Sequence, residues 1–94
     1  MPIFAVQYSY TDATIADRNT HRPGHRAWLR ELADNGTVLS SGAYPDGTGA
    51  LLLFRSENAD ALRELLSQDP FAVENLVERT EIHEWLPVIG AFSE

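Results

Sequence analysis

The chain has 94 residues, 44% hydrophobic and 22% charged, no cysteine, and seven basic against fourteen acidic side chains for a net charge of −7. That composition describes one domain (residues 1–94) near the lower end of what a single core supports. It excludes disulfides, thiolate metal sites and a cysteine nucleophile, and its field repels phosphate backbones and anionic membranes.

No apolar run nears the ~20 residues of a membrane span. Met1-Pro2-Ile3-Phe4 lacks the basic and apolar regions of a signal peptide. A cytoplasmic protein without nucleic-acid or membrane partners is expected.

Ile3 to Tyr8 is apolar or aromatic at nearly every position, which predicts a strand buried on both faces. Ser9 to Thr20 is polar, rich in Asp and Thr, and reads as a loop with at most one irregular turn. Pro23 suits the first turn of a helix, where its missing N–H costs nothing. His25, Trp28, Leu29 and Leu32 then recur at i, i+3, i+4 and i+7, with Arg26, Arg30, Glu31 and Asp34 on the other side. Asn35-Gly36 ends that helix in a left-handed cap.

Thr37 to Ala43 is a short strand, Pro45-Asp46-Gly47 a turn, and Ala50 to Phe54 an uninterrupted apolar strand. Ser56 can cap a second helix with the stripe Ala59, Leu62, Leu65 and Leu66. Asp69-Pro70 resets the backbone, one further turn follows from Phe71 to Asn75, and Val77 to Leu86 is the last strand. Strand–helix–strand occurs twice, joined by a hairpin. This predicts an α+β, ferredoxin-like βαββαβ sandwich, a four-stranded antiparallel sheet with two helices on one face. Two helices cover one face only, yet Ile3–Val6 and Leu51–Phe54 offer apolar side chains to both. A second copy packed sheet against sheet is the simplest cover, so a homodimer is expected.

Among candidate chemical groups, His25 stands at the head of the apolar stripe. In a first turn the helix dipole disfavours imidazolium, leaving a neutral ring able to accept a proton. Such a ring needs a partner to fix its tautomer, and Asp69 is the candidate, although Asp before Pro is also a standard helix opening. His21 and His25 have the i, i+4 spacing of a metal pair. Pro23 is expected to start the helix after His21, and no acidic third ligand lies nearby, so no metal is expected. His83 reads as a solvated strand residue. Arg18 and Arg22 could orient an anionic or phenolic substrate, while Tyr8, Trp28 and Phe71 could line an apolar pocket. Ser41-Gly42 ends the second strand without a nucleophile elbow, and no phosphate loop or dinucleotide fingerprint is present.

Arg22-Pro23-Gly24-His25 with Leu29, then Gly36, Ser41-Gly42 and Asp69-Pro70-Phe71, in that order and spacing, resemble the YciI-like (YCII-related) family. The resemblance covers nearly the whole chain. It implies a dimeric α+β barrel built from two ferredoxin-like subunits and a site on a His–Asp dyad at His25 and Asp69. In a few relatives that dyad is linked to dehydrochlorination of a chlorinated hydroxyhydroquinone. Ala43 follows Ser41-Gly42 here, where many relatives carry proline, so the pocket rim differs.

The expected function is thus a small, cofactor-free dimeric enzyme, a lyase or isomerase. His25 and Asp69 would be catalytic, and Arg18, Arg22, Tyr8, Trp28, Ser41, Gly42 and Phe71 would contact a small molecule. A non-catalytic dimeric ligand- or protein-binding module is the alternative, with a cofactor-free oxygenase as a third reading.

Overall fold

A computed structural model describes residues 1–93. In chain order it contains β1 (Ile3–Ser9), a 3₁₀ turn (Asp12–Thr14), α1 (Ile15–Asp34), β2 (Val38–Ala43), β3 (Gly49–Arg55), α2 (Ala59–Leu66), the single turn α3 (Pro70–Val73) and β4 (Arg79–Trp85). The strands form one antiparallel sheet in the order β2-β3-β1-β4. This is the ferredoxin-like arrangement that the element order predicts.

Register sorts the strand residues between the two faces. Phe4, Val6 and Tyr8 of β1 pair with Phe54, Leu52 and Ala50 of β3, and all six are buried beneath the helices with Leu29, Leu62 and Leu66. Each large side chain so buried contributes about 1.5–3 kcal/mol of transfer free energy, which is what holds α1 and α2 on the sheet. The opposite face carries Ala5 and Gln7 of β1, Leu51 and Leu53 of β3, and Glu81, His83 and Trp85 of β4. Leu51 and Trp85 there are exposed. The sequence led us to expect an apolar second face; Gln7, Glu81 and His83 make it mixed instead.

Two local devices shape the region between α1 and β2. The helix ends in a Schellman motif: Thr37 N–H donates to Leu32 C=O and Gly36 N–H to Ala33 C=O, with Gly36 at φ 86°. Downstream, the pairing of β2 with β3 shifts by one residue between Val38 and Ser40. That bulge puts Ser41 and Ala43, rather than Ser40 and Gly42, opposite the buried Leu52 and Ala50, hence on the helix side. Gly49, in the hairpin, cannot be replaced without distortion, because a Cβ there would lie 2.0 Å from the Tyr8 carbonyl oxygen.

Three boundaries depart from the sequence reading. α1 begins eight residues before Pro23, which lies inside it. The buried residue of its first half is Arg18, so no apolar stripe announces that half. Arg18 Nε donates to Thr14 Oγ1 at 3.0 Å, Nη2 donates to Thr11 C=O at 2.9 Å, and the guanidinium lies 4.4 Å from the Tyr10 ring centroid. These contacts satisfy a charge that would otherwise be too costly to bury. Asn58, not Ser56, caps α2, its Oδ1 accepting from Ala61 N–H at 2.7 Å, while Ser56 Oγ donates to the Asn58 carbonyl. β4 is shorter than expected and is followed by the exposed Leu86, Val88 and Ile89.

Candidate active site

Asp69 is the most enclosed polar residue, with no exposure to solvent. Its position follows from local chemistry: Pro70 at the first helical position and Asp69 at the cap open α3, and Asp69 Oδ1 accepts from Phe71 N–H at 3.0 Å. The same carboxylate serves two other elements. Oδ2 accepts from Tyr8 Oη of β1 at 2.8 Å, and Oδ1 lies 2.7 Å from His25 Nδ1 of α1. Desolvating a carboxylate costs several kcal/mol; here donors from three elements offset that cost.

Burial, followed by the Asp69 charge, pushes the Tyr8 hydroxyl far above the ordinary phenol range, so it acts as a fixed donor. With Tyr8 Oη and Phe71 N–H both donating, the carboxylate is left as acceptor towards Nδ1. Nδ1 therefore carries the ring proton, and Nε2 carries the lone pair. Nε2 has no protein partner among the described residues. No fully enclosed side-chain nitrogen or oxygen goes unpaired there either, so Nε2 opens to solvent space.

The imidazole plane is set by rings as well as by Asp69. Phe71 stacks on His25 with centroids 3.9 Å apart and planes 1° from parallel. Tyr10 meets Phe71 edge-on at 5.9 Å, and Arg18 covers Tyr10. Burial and the Asp69 charge push the Tyr10 hydroxyl up to about 12, against the opposing pull of Arg18 and Arg22. α1 packs against α3 at Gly24, where a Cβ would meet the Pro70 ring at 3.7 Å, an ordinary van der Waals contact.

His25 borders a cleft of about 370 Å³ between α1 and β2. Phe71, Tyr10, Leu29 and Val38 give it apolar walls; Ser40, Ser41 and Gly42 form the strand side; and Arg22, Arg26 and Arg30 lie along the helix side. Of the residues singled out in the sequence, His25, Arg22, Ser41, Gly42 and Phe71 thus border this cleft, and Asp69 stands behind His25. Three do not border it. Trp28 packs towards Phe54 at 6.3 Å in the core, Tyr8 is spent on Asp69, and Arg18 is buried beside Tyr10.

Pro23 does not start the helix, which changes the setting of both histidines. His25 is the eleventh residue of a continuous helix, not part of its first turn, so no helix-terminal field acts on it. His21 and His25 do share that helix, but Asp69 occupies Nδ1 of His25, and no three potential ligands cluster among the described residues. Tyr10, Arg26 and Arg30 were missed. Helical periodicity puts the two arginines on the solvent side, although the spacing Arg22, Arg26, Arg30 in so acidic a chain marks a cationic row.

The YCII-related domain family matches residues 2–86. Among solved structures, the chain is similar to 5-chloro-2-hydroxyhydroquinone dehydrochlorinase from Burkholderia phenoliruptrix AC1100, solved with 2,5-dihydroxybenzoquinone. The TM-score is 0.78 at 21% identity, over 88% of this chain and 92% of that one. It is also similar to muconolactone isomerase, with a TM-score of 0.70 at 15% identity over 98% and 96% of the two chains. A NIPSNAP domain protein from Burkholderia xenovorans gives 0.56 at 14% identity over 100% and 99%. Identities this low establish the shared fold alone. No curated protein matches. Among the described residues, no helix is long and apolar enough to cross a membrane.

Proposed function

The chain belongs to the YCII-related family, and from that premise we propose that it is a small enzyme using His25 and Asp69 for general acid–base chemistry. The observation that carries this reading is the 2.7 Å contact between His25 Nδ1 and a fully buried Asp69 carboxylate, with His25 bordering the cleft and its Nε2 free of any protein partner among the described residues. Nε2 takes a proton from an acidic C–H or O–H of a small, aromatic or phenolic molecule. The imidazolium that forms is stabilised by Asp69. It then returns the proton to another substrate atom in an isomerisation, or to the departing group in an elimination. Proton transfer by a positioned histidine contributes about 10²–10⁴ in rate, enough for an activated phenolic substrate.

A binding module would need His25 satisfied by main chain alone with no cleft beside it; the carboxylate contact and the cleft favour catalysis. The dehydrochlorinase and isomerase folds support the lyase or isomerase class. The active form is proposed to be a homodimer, with Ala5, Leu51, Leu53 and Trp85 of the bare sheet face meeting a second copy. Sedimentation should give a dimer at micromolar concentration, and a monomer there would remove that part. Turnover is tested by screening catechols, hydroxyquinones and small lactones against the wild type and His25→Ala. The variant should fold and lose about 10²–10⁴ of the rate; an unchanged rate rejects the role.

A further inference from the structure

All seven basic residues of the chain are arginines, against fourteen acids. Three of the seven, Arg22, Arg26 and Arg30, line one cleft, and no Asp or Glu lines it with them. Their i, i+4, i+8 spacing sets them about 6 Å apart along one side of α1. Like charges at i, i+4 oppose each other by a few tenths of a kcal/mol per pair, so this row is unfavourable to the isolated helix. Elsewhere the acid surplus is used: Arg63 pairs with Asp60 at 3.0 Å and Arg79 with Glu81 at 2.9 Å. Arg22 is engaged by Asn19. Arg26 and Arg30 have no hydrogen bond or ion pair among the described residues, even though Asp34 follows Arg30 by four positions.

Two unpaired guanidiniums, exposed beside a cleft with apolar walls that His25 also borders, mark a place for a negative group. The guanidinium fork matches a carboxylate in a bidentate way. Phe71, Tyr10, Leu29 and Val38 offer room for a ring-sized apolar body. We infer that the substrate is a small organic carboxylate, its anion held by Arg26 and Arg30 and its apolar body directed towards His25. This deepens the acid–base reading and rests on it for the direction of the molecule. The row also gives an anion a local attraction that the net charge of −7 denies it elsewhere.

Benzoate, its neutral isostere benzamide and inorganic phosphate serve as probes, with binding followed by NMR titration of the full chain at low and moderate salt. Benzoate should bind about tenfold more tightly than benzamide, and salt should narrow the gap. The double variant Arg26→Gln/Arg30→Gln, both positions exposed, should lose about that tenfold for benzoate and leave benzamide unchanged. Equal affinities, or a double variant that binds benzoate as the wild type does, would overturn the inference. Phosphate binding more tightly than benzoate would replace the carboxylate with a phosphoryl group and overturn it as stated. Benzoate held through Arg26 and Arg30 alongside turnover indifferent to His25→Ala refutes the base and leaves the carboxylate site standing. Neutral phenols turned over through His25, with no effect of the arginine substitutions, do the reverse.

Discussion

Leu62 and Leu66 of α2 lie against the same face of the sheet as Arg18 and His25 of α1, and all four are buried. α2 covers its half with hydrocarbon, so its position tolerates other apolar side chains of similar volume and needs no particular partner. α1 covers the other half with Leu29 and the partly buried Trp28 and Leu32 but also with buried polar groups, each of which must find a partner of defined geometry. Only Leu29 is a buried apolar residue along its twenty positions. The difference locates the chemistry. A helix that could have been docked by leucines is docked in part by an imidazole and a guanidinium, and the cleft opens beside that half.

The sharpest way to separate the halves is to damage each once. Asp69→Asn keeps the side-chain volume, but its amide can donate to His25 Nδ1 and drive the ring proton to Nε2. Turnover should then fall by about 10²–10⁴ in a protein that still folds. Asp69→Ala goes further and strands three donors, Tyr8 Oη, Phe71 N–H and His25 Nδ1–H. It should lower stability by about 3–5 kcal/mol in urea denaturation. Leu62→Ala, on the apolar half, should cost a comparable 2–5 kcal/mol through the cavity it leaves, while turnover per folded molecule stays at the wild-type value. If Leu62→Ala impaired catalysis as much as Asp69→Asn, the division between a holding half and a reacting half would be lost.

The same contrast explains what the sequence disclosed. α2 announces itself by a periodic apolar stripe and β1 and β3 by apolar runs, because burial of hydrocarbon leaves that trace. The first half of α1 leaves none. Its buried residue is Arg18, and the Thr14, Thr11 and Tyr10 groups that satisfy it are not deducible from spacing. Pro23 then offered a plausible but false start, since a proline inside a helix typically costs about 3 kcal/mol. Here the helix runs through it, with α3 packed at the neighbouring Gly24. His25 and Asp69 were nameable as a pair from helix-face and cap patterns. The third member, Tyr8, reads as a strand residue that could line the pocket, because sequence alone does not say which buried tyrosine has an acceptor at its tip. Of the cationic row, Arg22 reads as a ligand contact but Arg26 and Arg30 read as solvent-facing, since an exposed helix side and a cleft wall have the same composition.

Tyr8 supplies the smallest and most specific test, because it belongs to both halves: its ring lies in the apolar core and its hydroxyl on Asp69. Tyr8→Phe leaves Oδ2 without its donor and should lower stability by about 1–3 kcal/mol. Its second signature is in the pH dependence. The folded protein holds the Tyr8 proton far more tightly than an unfolded chain, which releases it near the ordinary phenol value of 10.0. Below that pH both states are protonated and the difference contributes nothing to the slope. Above it the unfolded state binds fewer protons than the folded one, so stability falls as pH rises. Tyr10, raised to about 12, adds to the fall between those two values. The chain has no lysine to titrate in the same window. Stability measured by urea denaturation from pH 9 to pH 12 should therefore decline, and Tyr8→Phe should make the decline shallower. An equally steep decline in the variant would mean that the hydroxyl is not sealed against Asp69, and with it would go the account of how the carboxylate is kept as an acceptor for His25.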